Sequence, residues 1–434
     1  MPFAALGDDI LLNILALGDI HTVLTVSAID KRLHELTQAK QLWLSLIQDR
    51  AFRHALDLPS PNTDELQSLS TRKLVDLVKR AVTRPAQAWP GAPPSRQTPT
   101  YTITFDTGLR HLRDFHLLPG AQYIISGTSA GEDLCMFDVW NGRHVWSFAK
   151  RNHRAYWAVD LVPGGGIARV VVALLTDFVG NGCSIYVEEV DLTTSASREV
   201  FDLGFTTKLS SILAIVGDFF LYSLTSPVRF DAVVLVNWRA STYVALNYGR
   251  ETSSGLALIP GYIIATHSDS ASPRQRLLTV ASFDAFAPHW KPLEAGIDFS
   301  DQLFPNTIPV ITHARQEYHG LPLGDSEYVY VRLGITPNAV YQGSYSIVTL
   351  LGKIPRPPTL AALAGTLFLG RPPADPFRTV ELTYSWRPPP APGQACSLRF
   401  VSDQIGSYAP GATRIQPRAA AAKEKGSFTV SYYQ

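Results

Sequence analysis

Short runs of β-branched and aromatic residues recur from about residue 100 to the end of the chain, and clusters of Gly, Pro, Asn and Ser separate them. Four of these runs end in an acidic or amide residue, at Asp138, Asp191, Asn237 and Asp284. The steps between these positions are 53, 46 and 47 residues. Because such runs favour extended backbone and the clusters favour turns, the pattern predicts an all-β region built from repeated units.

A repeat of this length has room for about four strands, which is the content of one blade of a β-propeller. A single blade cannot bury both of its faces, so several blades have to close into a ring. Residues 100–434 have room for roughly six or seven blades at this period. We expect the Asp and Asn residues at the strand ends to accept hydrogen bonds from backbone N–H groups of the turns that follow.

The end of the chain completes this picture. FTVSYYQ (428–434) predicts a final strand, and in a propeller such a strand completes the first or last blade and removes a free edge. The preceding segment PRAAAAKEKGS (417–427) predicts a flexible loop or a short helix.

Residues 1–85 have the periodicity of helices instead. In DDILLNILAL (8–17) the apolar residues recur at spacings of three and four, with Asp8 as the expected N-cap and Gly18 as the end of the helix. IHTVLTVSAI (20–29) predicts a second helix, and DKRLHELTQAKQLWLSLIQDR (30–50) a third, capped by Asp30. TDELQSLSTRKLVDLVKRAV (63–82) predicts a last helix. PAQAWPGAPPSRQTP (85–99) contains five prolines, which exclude helix, and marks a domain boundary.

Composition limits the possible partners and compartments. The net charge is +1, so no overall field attracts nucleic acid or an anionic membrane. Three well-separated cysteines, Cys135, Cys183 and Cys396, argue against a disulfide framework or a zinc knuckle. The N-terminus lacks the basic region of a signal peptide, and no apolar window is long enough to span a membrane. We expect a cytosolic or nuclear protein.

The segment GTSAG (127–131) matches G-x-S-x-G, the nucleophile elbow of α/β-hydrolases, with Ser129 as the nucleophile. The elbow requires a helix directly after the serine, and here another strand is predicted. VPGGGI (162–167) lies downstream of Ser129, whereas the lipase oxyanion motif lies upstream of its serine, and Pro163 replaces the His of that motif. We expect Ser129 to be a turn residue, and a serine hydrolase remains the least favoured alternative.

Two further clusters are better explained by ordinary structure. His313, Glu317 and His319 do not have the H-E-x-x-H spacing of a zinc site, and we expect no metal. KRNHRAYW (150–157) mixes cations with aromatic residues, but a solvated loop is the commoner outcome than nucleic-acid binding. We therefore predict no catalytic residue, cofactor or metal ligand.

LGDDILLNILALGDIHTVLTVSAIDKRLHELTQAKQLW (6–43) resembles the F-box, a three-helix motif. The matching residues follow the order of the family pattern: Leu6, Asp8, Asp9, Ile10, Leu11, Ile14, Leu15, Leu17, Val23, Leu24, Val26, Ile29, Lys31, Arg32, Leu33, Leu36, Leu42 and Trp43. Gly7 stands where the family usually has proline, Ala28-Ile29-Asp30 replaces the usual Val-Ser before lysine, and Leu33 replaces a tryptophan.

The resemblance implies that the helices dock on the Skp-type adaptor of a cullin–RING ubiquitin ligase, while the following domain binds a protein target. It divides the chain into an F-box at 1–50, a helical linker with a Pro-rich end at 51–99, and a propeller-like substrate-recognition domain at 100–434. The implied adaptor-binding residues are Leu6, Ile10, Leu11, Ile14, Leu15, Leu17, Leu24, Val26, Ile29, Leu33, Leu36 and Trp43. The alternative is an interaction scaffold in which Leu11, Ile14, Leu15 and Trp43 pack internally and no ligase is recruited.

Overall fold

The protein is described by a computed structural model. It describes residues 6–83, 101–107, 112–128, 133–149, 153–162, 165–176, 183–205, 209–225, 231–247, 255–268, 276–294, 308–309, 314–317, 329–353, 377–389, 394, 396–408, 419–424 and 427–432. Residues 6–83, called the helical unit below, form helices, and the described residues from Tyr101 onward form strands, with a single 3₁₀ helix among them. The predicted change from an all-α to an all-β region is confirmed. The Pro-rich boundary at 85–99 lies outside the described residues.

The helices are short and are joined by connections of one to three residues, except for the longer segment 56–62 between the fifth and sixth helices. They are α1 (Asp8–Ala16), α2 (Ile20–Ser27), α3 (Lys31–Thr37), α4 (Lys40–Gln48), α5 (Arg50–Ala55), α6 (Thr63–Ser68) and α7 (Thr71–Thr83). Asp30 caps α3 as predicted, because its carboxylate accepts the N–H of Leu33. The prediction of Asp8 as the cap of α1 is wrong: Gly7 occupies the N-cap position and Asp8 is the first helical residue.

The helices expected over 30–50 and 63–82 are each divided. The first is broken after Thr37, where the chain turns through Gln38 and Ala39 before α4 begins. The indole N–H of Trp43 donates a 2.7 Å hydrogen bond to the carbonyl of Thr37, which occupies an acceptor that the break leaves without a helical partner. Apolar spacing continues across such a break, so periodicity alone does not locate it.

Five sheets of at least four strands follow one another along the chain. The first contains β2 (Leu112–Leu117), β3 (Tyr123–Thr128), β4 (Asp133–Asp138) and β5 (His144–Ala149), and the second β6 (His153–Leu161), β7 (Ile167–Thr176), β8 (Cys183–Asp191) and β9 (Ser197–Phe205). The third contains β10 (Leu209–Val216), β11 (Phe219–Thr225), β12 (Asp231–Asn237) and β13 (Thr242–Asn247), extended by β17 (Lys291–Pro292) and β18 (Ile308–Pro309). The fourth contains β14 (Leu256–Ile259), β15 (Tyr262–Ser268), β16 (Arg276–Ser282) and β19 (Ala314–Glu317), and the fifth β20 (Val329–Pro337), β21 (Tyr345–Lys353), β22 (Phe377–Arg387) and β23 (Ser397–Tyr408).

Each sheet packs against the next one along the chain, which is a propeller-like arrangement. Separate apolar clusters join the first sheet to the second, the second to the third, the third to the fourth and the fourth to the fifth. Successive residues along a strand point to opposite faces of the sheet, so a sheet between two others contributes one face to each of two clusters. In β12, for example, Val234 and Val236 join one cluster while Val233 and Leu235 join the other.

A sixth sheet combines the two ends of the β region. β1 (Tyr101–Asp106) and β24 (Ala419–Glu424) flank β25 (Ser427–Tyr432), and both pairings are antiparallel. This terminal sheet packs against the first sheet through Phe428, Val430 and Tyr432. The final strand predicted from FTVSYYQ is confirmed. The loop or helix predicted for 417–427 is wrong, since β24 is a strand; pairing with β25 overrides the helix preference of its four alanines.

The strand-end residues behave as predicted in three of the four repeats. Asp138, Asp191 and Asn237 each end the third strand of their sheet. Asp138 and Asp191 accept the backbone N–H two residues further on, at 2.9 and 2.8 Å, and Asn237 accepts the N–H three residues on at 3.0 Å. Asp284 differs, because the chain enters a 3₁₀ helix (Phe283–His289) after the third strand and leaves this carboxylate exposed.

Candidate docking surface on the N-terminal helices

Three large apolar side chains of α1 face away from the protein. Ile10, Ile14 and Leu17 are 52, 44 and 85% exposed. Positions separated by four and three residues lie above one another on a helix, so these side chains form one stripe along α1 and its C-cap. Single exposed apolar residues are normal, but a stripe of this kind is typical of a surface that meets a partner.

Two further exposed apolar side chains lie on the second helix and in the turn after it. Leu24 of α2 and Ile29, in the turn after it, are 45 and 64% exposed. Together with the three residues of α1 they are called the apolar patch below: Ile10, Ile14, Leu17, Leu24 and Ile29. In the described residues these five make up the majority of the large hydrophobic side chains that are exposed.

Other residues of the predicted adaptor-binding set lie in the interior. Leu11, Leu15, Leu33 and Trp43 are buried, and Leu6, Val26 and Leu36 are half-buried. Leu15 and Trp43 belong to the core of the helical unit, together with residues of α4 and α7. The four buried side chains therefore stabilise the packing of the helices. The apolar patch is the part of the predicted adaptor-binding set that is exposed to a partner.

An ion pair holds α1 against α3 beside the patch. The guanidinium of Arg32 donates to Oδ1 of Asp8 through both Nε, at 2.9 Å, and Nη2, at 2.6 Å, and Nη2 also donates to the carbonyl of Leu6. Both side chains are about half exposed, so the pair contributes little net stability. It joins the first residue of α1 to α3, next to the exposed stripe.

The helical unit also contacts the β region. The carboxylate of Asp19 accepts the N–H of Thr22 at the start of α2, and its second oxygen accepts the N–H of Gln342 in the turn between β20 and β21. Asp57 accepts the N–H of Gly120 in the turn between β2 and β3. The sequence gives no sign of these contacts, because the partners lie far apart along the chain.

The remaining candidate sites gain no support as chemical centres. Ser129, His313 and His319 lie outside the described residues; the element after Ser129 is strand β4, paired with β3, where a nucleophile elbow needs a helix. Within the described ranges, no group of three His, Cys, Asp or Glu side chains is placed to hold a metal. The solvated loop expected for KRNHRAYW (150–157) is wrong from His153 onward, because these residues lie in strand β6, where Tyr156 and Trp157 are half-buried against the apolar clusters between sheets.

Among the helices that the structure describes, none has the length and apolar content needed to cross a membrane.

Comparison with known proteins gives neighbours in structure only. No family model matches the chain, and no curated protein matches it in sequence. The β-propeller domain of Cps50 (Swd1) from Myceliophteria thermophila is similar at 11% identity and a TM-score of 0.36, over 77% of this chain and 99% of that one. The WD40 domain of SCAP from fission yeast is similar at 9% identity and a TM-score of 0.28, over 75% and 85%. Hsv2 from Kluyveromyces lactis is similar at 12% identity and a TM-score of 0.30, over 68% and 86%. The description of the β region as propeller-like therefore rests on its strand order and its packing.

Proposed function

We propose that this protein is a non-enzymatic substrate receptor of a Skp–cullin–F-box ubiquitin ligase. The observation that carries the proposal is the apolar patch on α1 and α2, since its side chains belong to the segment that resembles the F-box. Complete burial of one Leu or Ile side chain is worth about 1.5–3 kcal/mol, so covering this patch supplies a large share of the affinity of a small interface. The occupant we propose is the Skp-type adaptor.

The start of α1 supports docking despite the departure from the family pattern. Gly7 has φ −64° and ψ 152°, and a φ near −65° is the value that proline imposes. Gly7 therefore has the backbone conformation at the start of α1 that a proline would impose. The orientation of the patch is unchanged, although a glycine loses more conformational entropy on folding than a proline does.

We propose that the β region is a closed ring of six blades, formed by the five successive sheets and the terminal sheet. The pairing of β1 with β25 supports closure, because it joins the two ends of the region in one sheet.

The ring would then bind a protein target. Binding the target and the adaptor on one chain holds the target near the ubiquitin-loaded enzyme and raises its effective concentration there. No residue of this chain takes part in a covalent step under this proposal, and no cofactor is needed.

A pull-down of the full-length protein with a purified Skp-type adaptor tests the proposal. Replacing Ile14 and Leu17 together by Asp places two charges on the patch without disturbing the buried side of α1, so we expect binding to be lost while the fold is kept. The matched control is Asn13→Asp, which adds one charge at an exposed position of the same helix. Retained binding by the double variant, or equal loss in the control, would contradict docking through the patch.

The second candidate is an interaction scaffold that recruits no ligase. The hydrogen bonds of Asp19 and Asp57 to the β region favour it, because they show the helical unit serving as part of the intramolecular architecture. If the folded wild-type protein does not bind the adaptor at all, the scaffold replaces the receptor.

A further inference from the structure

The helical unit contacts the β region at two separate places, called the first and second grip below: one around Asp19 and one around Asp57. At the first, Oδ1 of Asp19 accepts the N–H of Thr22 at 2.7 Å and Oδ2 accepts the N–H of Gln342 at 2.9 Å. One carboxylate therefore caps α2 and holds the turn between β20 and β21. Burial alone would raise the pKa of Asp19, but the hydrogen bonds from Thr22 and Gln342 outweigh it and lower the pKa, so the group is ionised at neutral pH.

Ring contacts reinforce this first grip. The backbone N–H of His21 donates to the backbone carbonyl of Val340 at 3.2 Å. The centre of the His21 imidazole lies 4.4 Å from the centre of the Tyr341 ring. The guanidinium carbon of Arg387, at the end of β22, lies 3.8 Å from the centre of the same tyrosine ring. The start of α2 is thus tied to the turn between β20 and β21, and Arg387 of β22 packs on the same turn.

The second grip lies at the opposite end of the β region in sequence. Oδ1 of Asp57, which is buried, accepts the N–H of Gly120 at 2.7 Å. The imidazole of His54 packs so closely on Gly120 that a Cβ added there would lie 2.4 Å from its Cδ2. Arg50 covers Gly165 in the same manner, with its Nε 2.3 Å from where a Cβ would be. These contacts are made to two turns: the turn between β2 and β3 of the first sheet, and the turn between β6 and β7 of the second sheet.

All three turns occupy equivalent places. Each joins the first strand of its sheet to the second: β2 to β3, β6 to β7 and β20 to β21. In an antiparallel sheet such turns lie at one end of the strands, so the helical unit covers a single face of the β region. It touches the first and second sheets through residues 50–57, and the fifth sheet through residues 19–21 and through α5, which contacts β20.

We propose that the helical unit is a staple that spans one face of the β region, from the fifth sheet to the first and second sheets, across the place where the terminal sheet completes the proposed six-bladed ring. The contact between Asp19 and Gln342 joins positions 323 residues apart. A contact that closes so long a loop removes more freedom from the open chain than a local one does. The staple is independent of adaptor binding, so it stands or falls separately from the ligase.

Hydrogen exchange measured by mass spectrometry on full-length protein tests the staple. Asp19→Ser keeps a side-chain cap for α2, because serine is a good N-cap, but leaves no second oxygen for Gln342. We expect roughly ten- to hundredfold faster exchange in the turn 338–344, the factor for one hydrogen bond to a charged acceptor, and faster exchange in β1 and β25 of the terminal sheet. The matched control is Asp30→Ser, which makes the same replacement at the N-cap of α3, where the structure places the aspartate oxygen on the N–H of Leu33 in the same helix.

Faster exchange confined to 338–344, or no change at all, would overturn the staple and leave a local contact. Asp57→Gly opens the other grip; glycine tolerates the positive φ of 49° at this position, so the backbone is kept. The staple predicts that this variant also speeds exchange in β1 and β25. Should Asp19→Ser fail to fold, His21→Ala at an exposed position weakens the first grip more gently, and unchanged exchange in β1 and β25 of that variant would overturn the proposal.

Discussion

The phenol of Tyr432 donates a 2.6 Å hydrogen bond to the carbonyl of Ala121, which lies 311 residues earlier in the chain. Both residues are buried, one in the last strand of the terminal sheet and the other in the turn between β2 and β3. Burial is the main reason that the pKa of this phenol is raised above its usual value, so the phenol is protonated and able to donate at neutral pH. One hydrogen bond thus joins the end of the chain to the first sheet.

We predict that Tyr432→Phe destabilises the protein by about 1 kcal/mol, because it leaves the buried carbonyl of Ala121 without this donor. Denaturant unfolding of the purified variant measures the change. Tyr101→Phe is the control, since Tyr101 pairs with Tyr432 across β1 and β25 but is half exposed. Equal stability of the wild type and the Tyr432 variant would show that the bond does not hold the terminal sheet.

Gly7→Pro is predicted to stabilise the helical unit by about 0.4–1 kcal/mol. The native φ of −64° suits proline, and nothing lies within 4 Å of a Cβ at this position, so the gain comes from a less flexible unfolded chain. Comparing the melting temperatures of Gly7→Pro and Gly7→Ala separates the effect of the fixed φ of proline from the effect of adding a Cβ atom. A lower melting temperature for the proline variant than for the alanine variant would contradict the entry conformation described for α1.

Gly255 lies where the fourth and fifth sheets meet, before β14. A Cβ there would lie 2.6 Å from Cβ of Leu333 and 3.0 Å from its backbone N, so one strand has to move to accept it. We predict that Gly255→Ala destabilises the protein by about 1–3 kcal/mol. Gly204→Ala, in β9, meets nothing within 4 Å and serves as the control. Chemical denaturation that ranks the two variants equally would argue against close contact of these sheets.

Acid sensitivity is predicted to come in part from His54. Burial first, and the neighbouring charge of Arg50 second, lower the pKa of its imidazole to about 4 from a usual 6.5. Between about pH 6.5 and pH 4 the imidazole is therefore protonated in the unfolded chain but neutral in the folded protein. The contribution of His54 to the free energy of unfolding is complete above about pH 6.5 and decreases as the pH falls towards 4. The loss amounts to at most about 3 kcal/mol. In His54→Gln this part of the pH dependence disappears, whereas His34→Gln, at an exposed site, keeps it; identical pH profiles of stability for both variants would contradict a buried neutral His54.

Much of the β region follows from local sequence. Alternating apolar runs place most of the strands, and a carboxylate or amide at Asp138, Asp191 or Asn237 marks the turn after the third strand because it accepts nearby N–H groups. The exceptions are decided by distant partners. The alanines of β24 become a strand only because β25 lies beside them.

The docking surface is less accessible to sequence reasoning. Ile10, Leu11, Ile14 and Leu15 are all apolar, and neighbouring residues on a helix are separated by only 100°, so the pattern does not tell which pair faces inward. Packing on α4 and α7 decides it and leaves Ile10 and Ile14 outside. The second role of Asp19 is invisible for a related reason, because Gln342 is brought to it only by the complete fold.

The most direct test of the account is isothermal titration of full-length protein with a purified Skp-type adaptor, repeated with Leu17→Asp. We predict binding by the wild type with a negative heat-capacity change, as expected for burial of apolar surface, and about tenfold or greater weakening in the variant. Absence of binding by the folded wild type, or equal affinity of the two proteins, would contradict a docking role for the apolar patch.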